Sequence, residues 1–244
     1  MSDKLQDGIY KHPREAIGNF VFDESVTRVF EDMISRSVPG YASILSMLPV
    51  LVRKYVQANS YCYDLGCSLG AASLSMRHAV NKTNVEIIAV DNSESMISKS
   101  RDYIAADKST VPVNLQCADI RDVVISNASL VVMNFTLQFI QPEHRLDLMK
   151  NIYKGLNQGG AFILSEKIIT EDAGQQNWMT ELHHEFKRAN GYSELEISQK
   201  RTALEKVLIP DTVEQHKQRL LDAGFSKVML WFQCFNFVSL LAVK

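Results

Sequence analysis

A chain of 244 residues with 26 Lys and Arg against 28 Asp and Glu carries a formal charge of −2. That excludes the broad basic face a nucleic-acid-binding surface needs in order to release counterions, though not a small basic pocket. Apolar residues at 46% and charged residues at 22% exclude a disordered or fibrous chain and suit a single α/β domain, residues 1–244, with room for one insertion.

In chain order, residues 1–22 are polar, lack the apolar run of a signal peptide, and are expected to be loosely held until Phe22. Asp23 can cap a helix whose Val26, Val29, Phe30, Met33 and Ile34 fall at helical spacing. Val38-Pro39-Gly40 breaks the chain before a second helix at about 41–56, completing a helical arm at about 20–58. Its apolar stretch Leu45–Val52, broken by Ser46 and Pro49, is far too short to cross a bilayer.

From there, apolar strands near 61–65, 86–90, 112–117, 129–134 and 161–165 alternate with helical segments near 70–80, 93–106 and 142–155. Such alternation predicts parallel strands with helices on both faces. A polar and aromatic insertion at about 168–209 interrupts the rhythm, with two helices broken at Gly191. A helix from Thr212 to Ala223 ends at Gly224. Strands near 226–233 and 236–243 are too close in sequence for a parallel crossover, so they must pair antiparallel. Cys62, Cys67, Cys117 and Cys234 are scattered without CxxC or metal spacing, and His183-His184 lack i,i+4 partners. Neither disulfides nor a metal is expected, and the cytoplasm is the default location.

The segment Tyr63-Asp-Leu-Gly66-Cys67-Ser68-Leu-Gly70-Ala-Ala joins a buried strand to a helix at the carboxyl edge of the sheet, where open α/β folds bind ligands. Gly66 permits a tight turn and close backbone approach, and Gly70 permits close packing, although a plain strand-to-helix turn also uses such glycines. A dinucleotide fingerprint would need glycine at Ser68 and Ala71, and a P-loop would need Lys-Ser/Thr after the glycines. The next strand ends in Asp91-Asn92, whose carboxylate can take both ribose hydroxyls of a nucleoside; each residue could equally cap the following helix. The third ends in Asp119-Ile120, a carboxylate for the adenine amino group and an apolar side chain for the ring. The fourth ends in Asn134. Four adjacent strands delivering a glycine or a polar group at one edge form a stronger signal than any one of them.

On these residues, about 55–167 and 212–244, the chain resembles the class I S-adenosylmethionine-dependent methyltransferase superfamily. The resemblance implies a Rossmann-like, seven-stranded, mostly parallel sheet with a C-terminal antiparallel hairpin. A sulfonium ligand has no pyrophosphate, which agrees with the incomplete glycine pattern. The amino-methylating tetrad is absent, since the fourth strand runs into Asn134-Phe-Thr-Leu-Gln138. Cys67 reads as a small packing residue or backbone donor.

Longer stretches are more specific: Arg36-Ser-Val-Pro-Gly-Tyr41, Asn134-Phe-Thr-Leu-Gln-Phe, Phe186-Lys-Arg-Ala-Asn-Gly-Tyr through Ser198-Gln-Lys-Arg201, and Leu230-Trp-Phe-Gln-Cys-Phe-Asn-Phe. With the loop they resemble the carboxy-S-adenosyl-L-methionine synthase family over nearly the whole chain. That resemblance implies conversion of S-adenosyl-L-methionine and prephenate to carboxy-S-adenosyl-L-methionine and phenylpyruvate. The product supplies the carboxymethyl group for wobble-uridine modification of tRNA, made here without direct nucleic-acid binding. It implies a ligand contacted by Tyr41, Gly66, Cys67, Ser68, Asp91, Asn92, Asp119, Ile120 and Asn134, with Arg201 anchoring the new carboxylate. No catalytic base is assigned, because hydroxide leaving prephenate can take the methyl proton. The arm and the insertion are the candidate lid, and a homodimer is implied, with Trp178, Phe186 and Tyr192 as contact candidates, although such aromatics more often pack internally. The alternatives are an ordinary methyltransferase for a small molecule or tRNA and a non-catalytic binding module.

Overall fold

The computed structural model describes residues 5–244. Helices α1 (Glu24–Ser37) and α2 (Tyr41–Tyr55) precede β1 (Ser60–Leu65), α3 (Ala71–Ala79), β2 (Val85–Asp91), α4 (Glu94–Ala106) and β3 (Val113–Cys117). Then come β4 (Ala128–Asn134), a 3-10 turn Leu137–Phe139, α5 (Pro142–Gly155) and β5 (Leu156–Lys167). The chain finishes with α6 (Ala173–Ala189), α7 (Glu194–Leu204), α8 (Val213–Asp222), β6 (Lys227–Cys234) and β7 (Phe237–Val243). These form one seven-stranded sheet in the order β3-β2-β1-β4-β5-β7-β6. Strands β1 to β5 run parallel, and β7 enters antiparallel between β5 and β6. This is the class I methyltransferase arrangement expected from the alternating pattern.

The period of two along β4 divides the core. Val131 and Met133 face α5 and α8 with Met149, Ile152 and Leu220, whereas Leu130 and Val132 face α2 and α3 with Leu48 and Met76. All are buried, so β4 is clamped from both sides and its carboxyl tip is held rigidly. Helix α2 tolerates Pro49 because the carbonyl it orphans, that of Leu45, is taken by the Ser75 hydroxyl at 3.1 Å. Asp23 caps α1, while α7 and α8 start with full capping boxes, Ser193/Glu196 and Thr212/Gln215.

The amino-terminal stretch departs from expectation. Tyr10 and Phe20 are buried with α7 and α4 residues, and Gln199 of α7 accepts from the Arg14 N–H and donates to the Tyr10 and His12 carbonyls. Its burial depends on a partner 185 residues along the chain, which local polarity does not report. β5 begins five residues earlier than its apolar run, across an irregularity at Ala128/Leu130.

The insertion leaves and rejoins the sheet at a closed neck. Ile168 pairs with Asp211 in an isolated bridge, and the Ile209 N–H donates to the Gln138 carbonyl at 2.8 Å. Fully buried Arg145 donates to Asp211 at 2.6 Å and to the Ile140 and Ile209 carbonyls, and Arg219 donates to the same carboxylate at 2.7 Å. Burial pushes the Asp211 carboxyl up, but Arg219 and Arg145 outweigh it and hold it below the usual range. Because a buried cation stripped of its counter-charge is costly, Asp211→Asn should lower unfolding stability by about 3 kcal/mol. Urea denaturation monitored by circular dichroism measures this.

Candidate active site

The glycine loop is shaped by two buried carboxylates. Asp64, near the end of β1, accepts from the Ser73 N–H at 2.9 Å and hydroxyl at 2.6 Å, fastening the start of α3. Burial pushes its carboxyl up to about 6 despite those bonds. Asp91 at the end of β2 accepts from the Ser68 N–H at 2.8 Å and the Ser93 N–H at 2.9 Å. Its carboxyl is also raised by burial, against those two donors. Thus Asp91 ties the loop to the start of α4 while using two of its roughly four acceptor positions. Cys67 is buried, its N–H donates to the Val90 carbonyl, and burial with Asp64 and Asp91 drives its thiol far up, so it is no nucleophile.

Gly66 has φ +80°, and a Cβ there would stand 2.1 Å from the Thr136 hydroxyl. The close approach this glycine permits is therefore to the loop after β4. That loop is fastened by Glu166, wholly buried near the end of β5, which accepts from the Thr136, Leu137 and Gln138 N–H groups at 3.2, 2.8 and 3.1 Å. Burial pushes the Glu166 carboxyl up to about 8, although the three donors and Arg145 favour its charged form. Gln138 extends the tie by accepting from the Lys167 N–H and donating to the Phe135 carbonyl. The outcome is a fixed Asn134, whose buried side-chain oxygen has no partner among the described residues.

The remaining expected positions divide. Tyr41 opens α2 beside Phe135, ring centroids 6.2 Å apart, and burial with Asp64 and Glu31 nearby raises its phenol. Asn92 follows Asp91 on the exposed side of the loop. Asp119 is held by a fork from Arg121, at 3.0 and 2.6 Å, which lowers its carboxyl. Ile120 lies in the core with Leu65 and Val90, so its side chain supports the β3 edge from within.

Arg201, on α7, is exposed, and its guanidinium makes no ion pair among the described residues. Its electrostatic neighbours are Lys167 at the tip of β5, and Lys187 and His184 on α6. The arm and insertion pack together over this edge. His183 meets the Ser37 carbonyl at 2.9 Å, Arg36 donates to the Asn190 carbonyl at 2.7 Å, and the Ser93 hydroxyl donates to the Phe22 carbonyl at 2.6 Å. Phe22 in turn reaches Phe139 of the 3-10 turn, centroids 5.3 Å apart. Of the three aromatics considered for a subunit contact, Tyr192 is interior, lying under Arg36, Phe186 is half-buried and Trp178 is 65% exposed.

Glu166, Gln138, Lys167 and Lys187 also stand at this edge, and the sequence motifs do not single them out. The first and third carry the signal used for the other strands: an apolar run, Ala161–Leu164, that ends in Ser-Glu-Lys at the ligand edge. Lys187 sits in a polar helix and has no such mark.

A family profile described as a methyltransferase domain matches residues 63–160. The carboxy-S-adenosyl-L-methionine synthase of Citrifermentans bemidjiense is 59% identical over 239 residues, 98% of each chain. That of Pasteurella multocida is 53% identical over 239 residues, covering 98% of this chain and 99% of its own. Among solved structures, human N-acetylserotonin methyltransferase in complex with S-adenosylmethionine superposes with a TM-score of 0.61 at 15% identity, over 91% of this chain and 55% of that one. An S-adenosyl-L-methionine-dependent methyltransferase of Methanococcus maripaludis gives 0.59 at 16% identity, over 95% and 97% of the two chains. The likeness to these structures is one of fold.

Replacing Glu166 by Gln sets an amide NH2 against one of the three backbone donors. Since a buried N–H left without an acceptor costs about 1–3 kcal/mol, Glu166→Gln should lose that much stability in urea titrations. Gly66→Ala, strained in φ and blocked by Thr136, should lose more; equal stability to the wild type would contradict the close approach described.

Proposed function

The chain belongs to the carboxy-S-adenosyl-L-methionine synthase family, and on that premise we propose that it converts S-adenosyl-L-methionine and prephenate to carboxy-S-adenosyl-L-methionine and phenylpyruvate. The observation that supports this best is Arg201, a guanidinium without a carboxylate partner among the described residues, set beside the tip of β5. Methyl transfer creates no anion next to the sulfonium, whereas this reaction does, and guanidinium binds carboxylate in a two-pronged fork. Arg201 is the anchor of the new carboxylate.

The other groups fit the same ligand. The free oxygen of Asn134 offers an acceptor at the tip of β4. Asp91 keeps acceptor positions for the ribose hydroxyls beside Asn92, and Gly66, Cys67 and Ser68 present backbone along the amino-acid portion. Asp119 borders the adenine with Ile120 packed behind it, and Tyr41 closes the side facing Asp64.

The reaction balances without a protein base. Prephenate aromatises by losing its ring carboxylate as CO2 and its hydroxyl as hydroxide. The hydroxide takes a proton from the sulfonium methyl to give water, and the electron pair left on carbon bonds to CO2. Such a carbanion is quenched by bulk solvent, so the protein's part is to hold both substrates and exclude water. The roof from Phe22 to Phe139 and the tied α6 and α7 are suited to that. The product then serves as carboxymethyl donor for wobble uridine in tRNA, in the cytoplasm. A net charge of −2 accords with an enzyme that does not itself hold the tRNA. Exposed Trp178 supports a homodimer contact on α6. No helix among the described residues is long and apolar enough to cross a membrane.

Mass spectrometry of ligand released from the denatured protein should find S-adenosylmethionine heavier by one CO2, or its formation once prephenate is added. Finding S-adenosylmethionine alone, with no prephenate-dependent conversion, overturns the proposal. Arg201→Ala should weaken the carboxylated ligand by about tenfold to a hundredfold while altering S-adenosylmethionine affinity far less, as expected for hydrogen bonds to a charged group. Calorimetric titration of both ligands reads the difference, and equal losses would remove Arg201 from the anchoring role.

A further inference from the structure

The cations of the lid divide into two sets. Arg36 is paired with Asp32, Arg188 with Glu185 and Glu194, and Lys200 with Asp7. Lys167, Lys187 and Arg201 have no carboxylate partner among the described residues, and Lys187 is only 7% exposed. Three links draw these groups together. Lys167 is cross-strand from Phe237, whose ring packs on His183 at 4.9 Å. Lys187 lies one turn after His183 on the same face of α6. The His183 ring also meets the Ser37 carbonyl, and the Ser37 hydroxyl accepts from Lys200, next to Arg201 on α7.

Resting on the function proposed above, we propose that the ammonium groups of Lys167 and Lys187 form a second anion subsite beside Arg201, holding the side-chain carboxylate of the dicarboxylate co-substrate. The chemistry selects which carboxylate. A fixed cation on the ring carboxylate would stabilise the ground state and oppose its loss as CO2, so binding energy belongs on the carboxylate that persists in phenylpyruvate. Arg201 is left for the transferred one. Burial and the surrounding Lys200, Lys167 and Arg201 hold the Lys187 ammonium down at about 7, and burial with Arg201 lowers Lys167. Both groups are thus electrostatically unsatisfied until an anion arrives.

Phenylpyruvate titrated calorimetrically into the S-adenosylmethionine-loaded protein tests the subsite without turnover. The wild type should bind it, Lys187→Met and Lys167→Met should each weaken it at least tenfold, and Lys187→Arg should keep most of the affinity. S-adenosylmethionine affinity should stay within about twofold. Unliganded Lys187→Met should melt at or above the wild-type temperature, since it removes an unpaired buried charge; a lysine serving the fold would lower it. Absence of phenylpyruvate binding by the wild type, unchanged binding in both Met variants, a parallel loss of S-adenosylmethionine or a lowered melting temperature would each overturn the proposal. If prephenate conversion fails while lysine-dependent phenylpyruvate binding persists, the function falls and the subsite stands. If conversion proceeds with an unaltered KM for prephenate in both Met variants, the subsite falls and the function stands.

Discussion

Three backbone N–H groups, from Thr136, Leu137 and Gln138, converge on the buried carboxylate of Glu166, and the ligand-facing edge hangs from that contact. The loop it fastens presses Thr136 against Gly66 on one side. On the other, Gln138 reaches the Lys167 backbone and the neck of the insertion at Ile209. Asn134, just before the loop, is thereby fixed with an open acceptor. A carboxylate inside a core is expensive; three donors aimed at it from one turn, with Arg145 nearby, offset part of that cost, and burial still leaves its carboxyl raised to about 8. Glycine loop, β4 tip and the root of the insertion therefore form one connected unit.

The second organising feature is the segregation of charge. Across the insertion, acidic and basic residues nearly cancel. In space, Glu185 and Glu194 pair with Arg188 at the surface, while Lys187 and Lys167 turn inward with Arg201 at their flank. Cations crowded together without a carboxylate partner among the described residues repel one another, and pairing with an anion in a partly desolvated site repays more than the same pairing in solvent. On the function proposed, such a set of cations favours anionic ligands over neutral ones before any shape discrimination acts. The paired set, Arg36, Lys200, Asp7 and Asp32, instead locks the amino-terminal segment and α1 to α7, keeping the unpaired set in place.

Periodicity made most of the elements legible. The heavily apolar β4, the capping residue Asp23, and the short link between β6 and β7 are local features that act within a few residues. The amino-terminal stretch misled because Tyr10 and Phe20 are buried by α7, far along the chain. For Tyr192 the sequence leaves surface contact and internal packing both open, and Arg36 and Asp7 around it decide for the interior. Asp119 shows the same limit at the site, since the fork that engages it comes from a side chain whose direction spacing does not specify.

By itself the sequence determined the alternating α/β order, the glycine loop and the polar strand ends Asp91 and Asn134. Those depend on hydrophobic period, turn chemistry and motif, which are properties of neighbouring residues. Only the tertiary structure decided that Glu166 holds the loop, that Gly66 makes room for Thr136, and that Lys167 and Lys187 stand near Arg201 without a carboxylate partner among the described residues. These arise where β5, α6 and α7 meet, and burial and pairing depend on what surrounds a side chain in space. A net charge of −2 sums over that arrangement and conceals it.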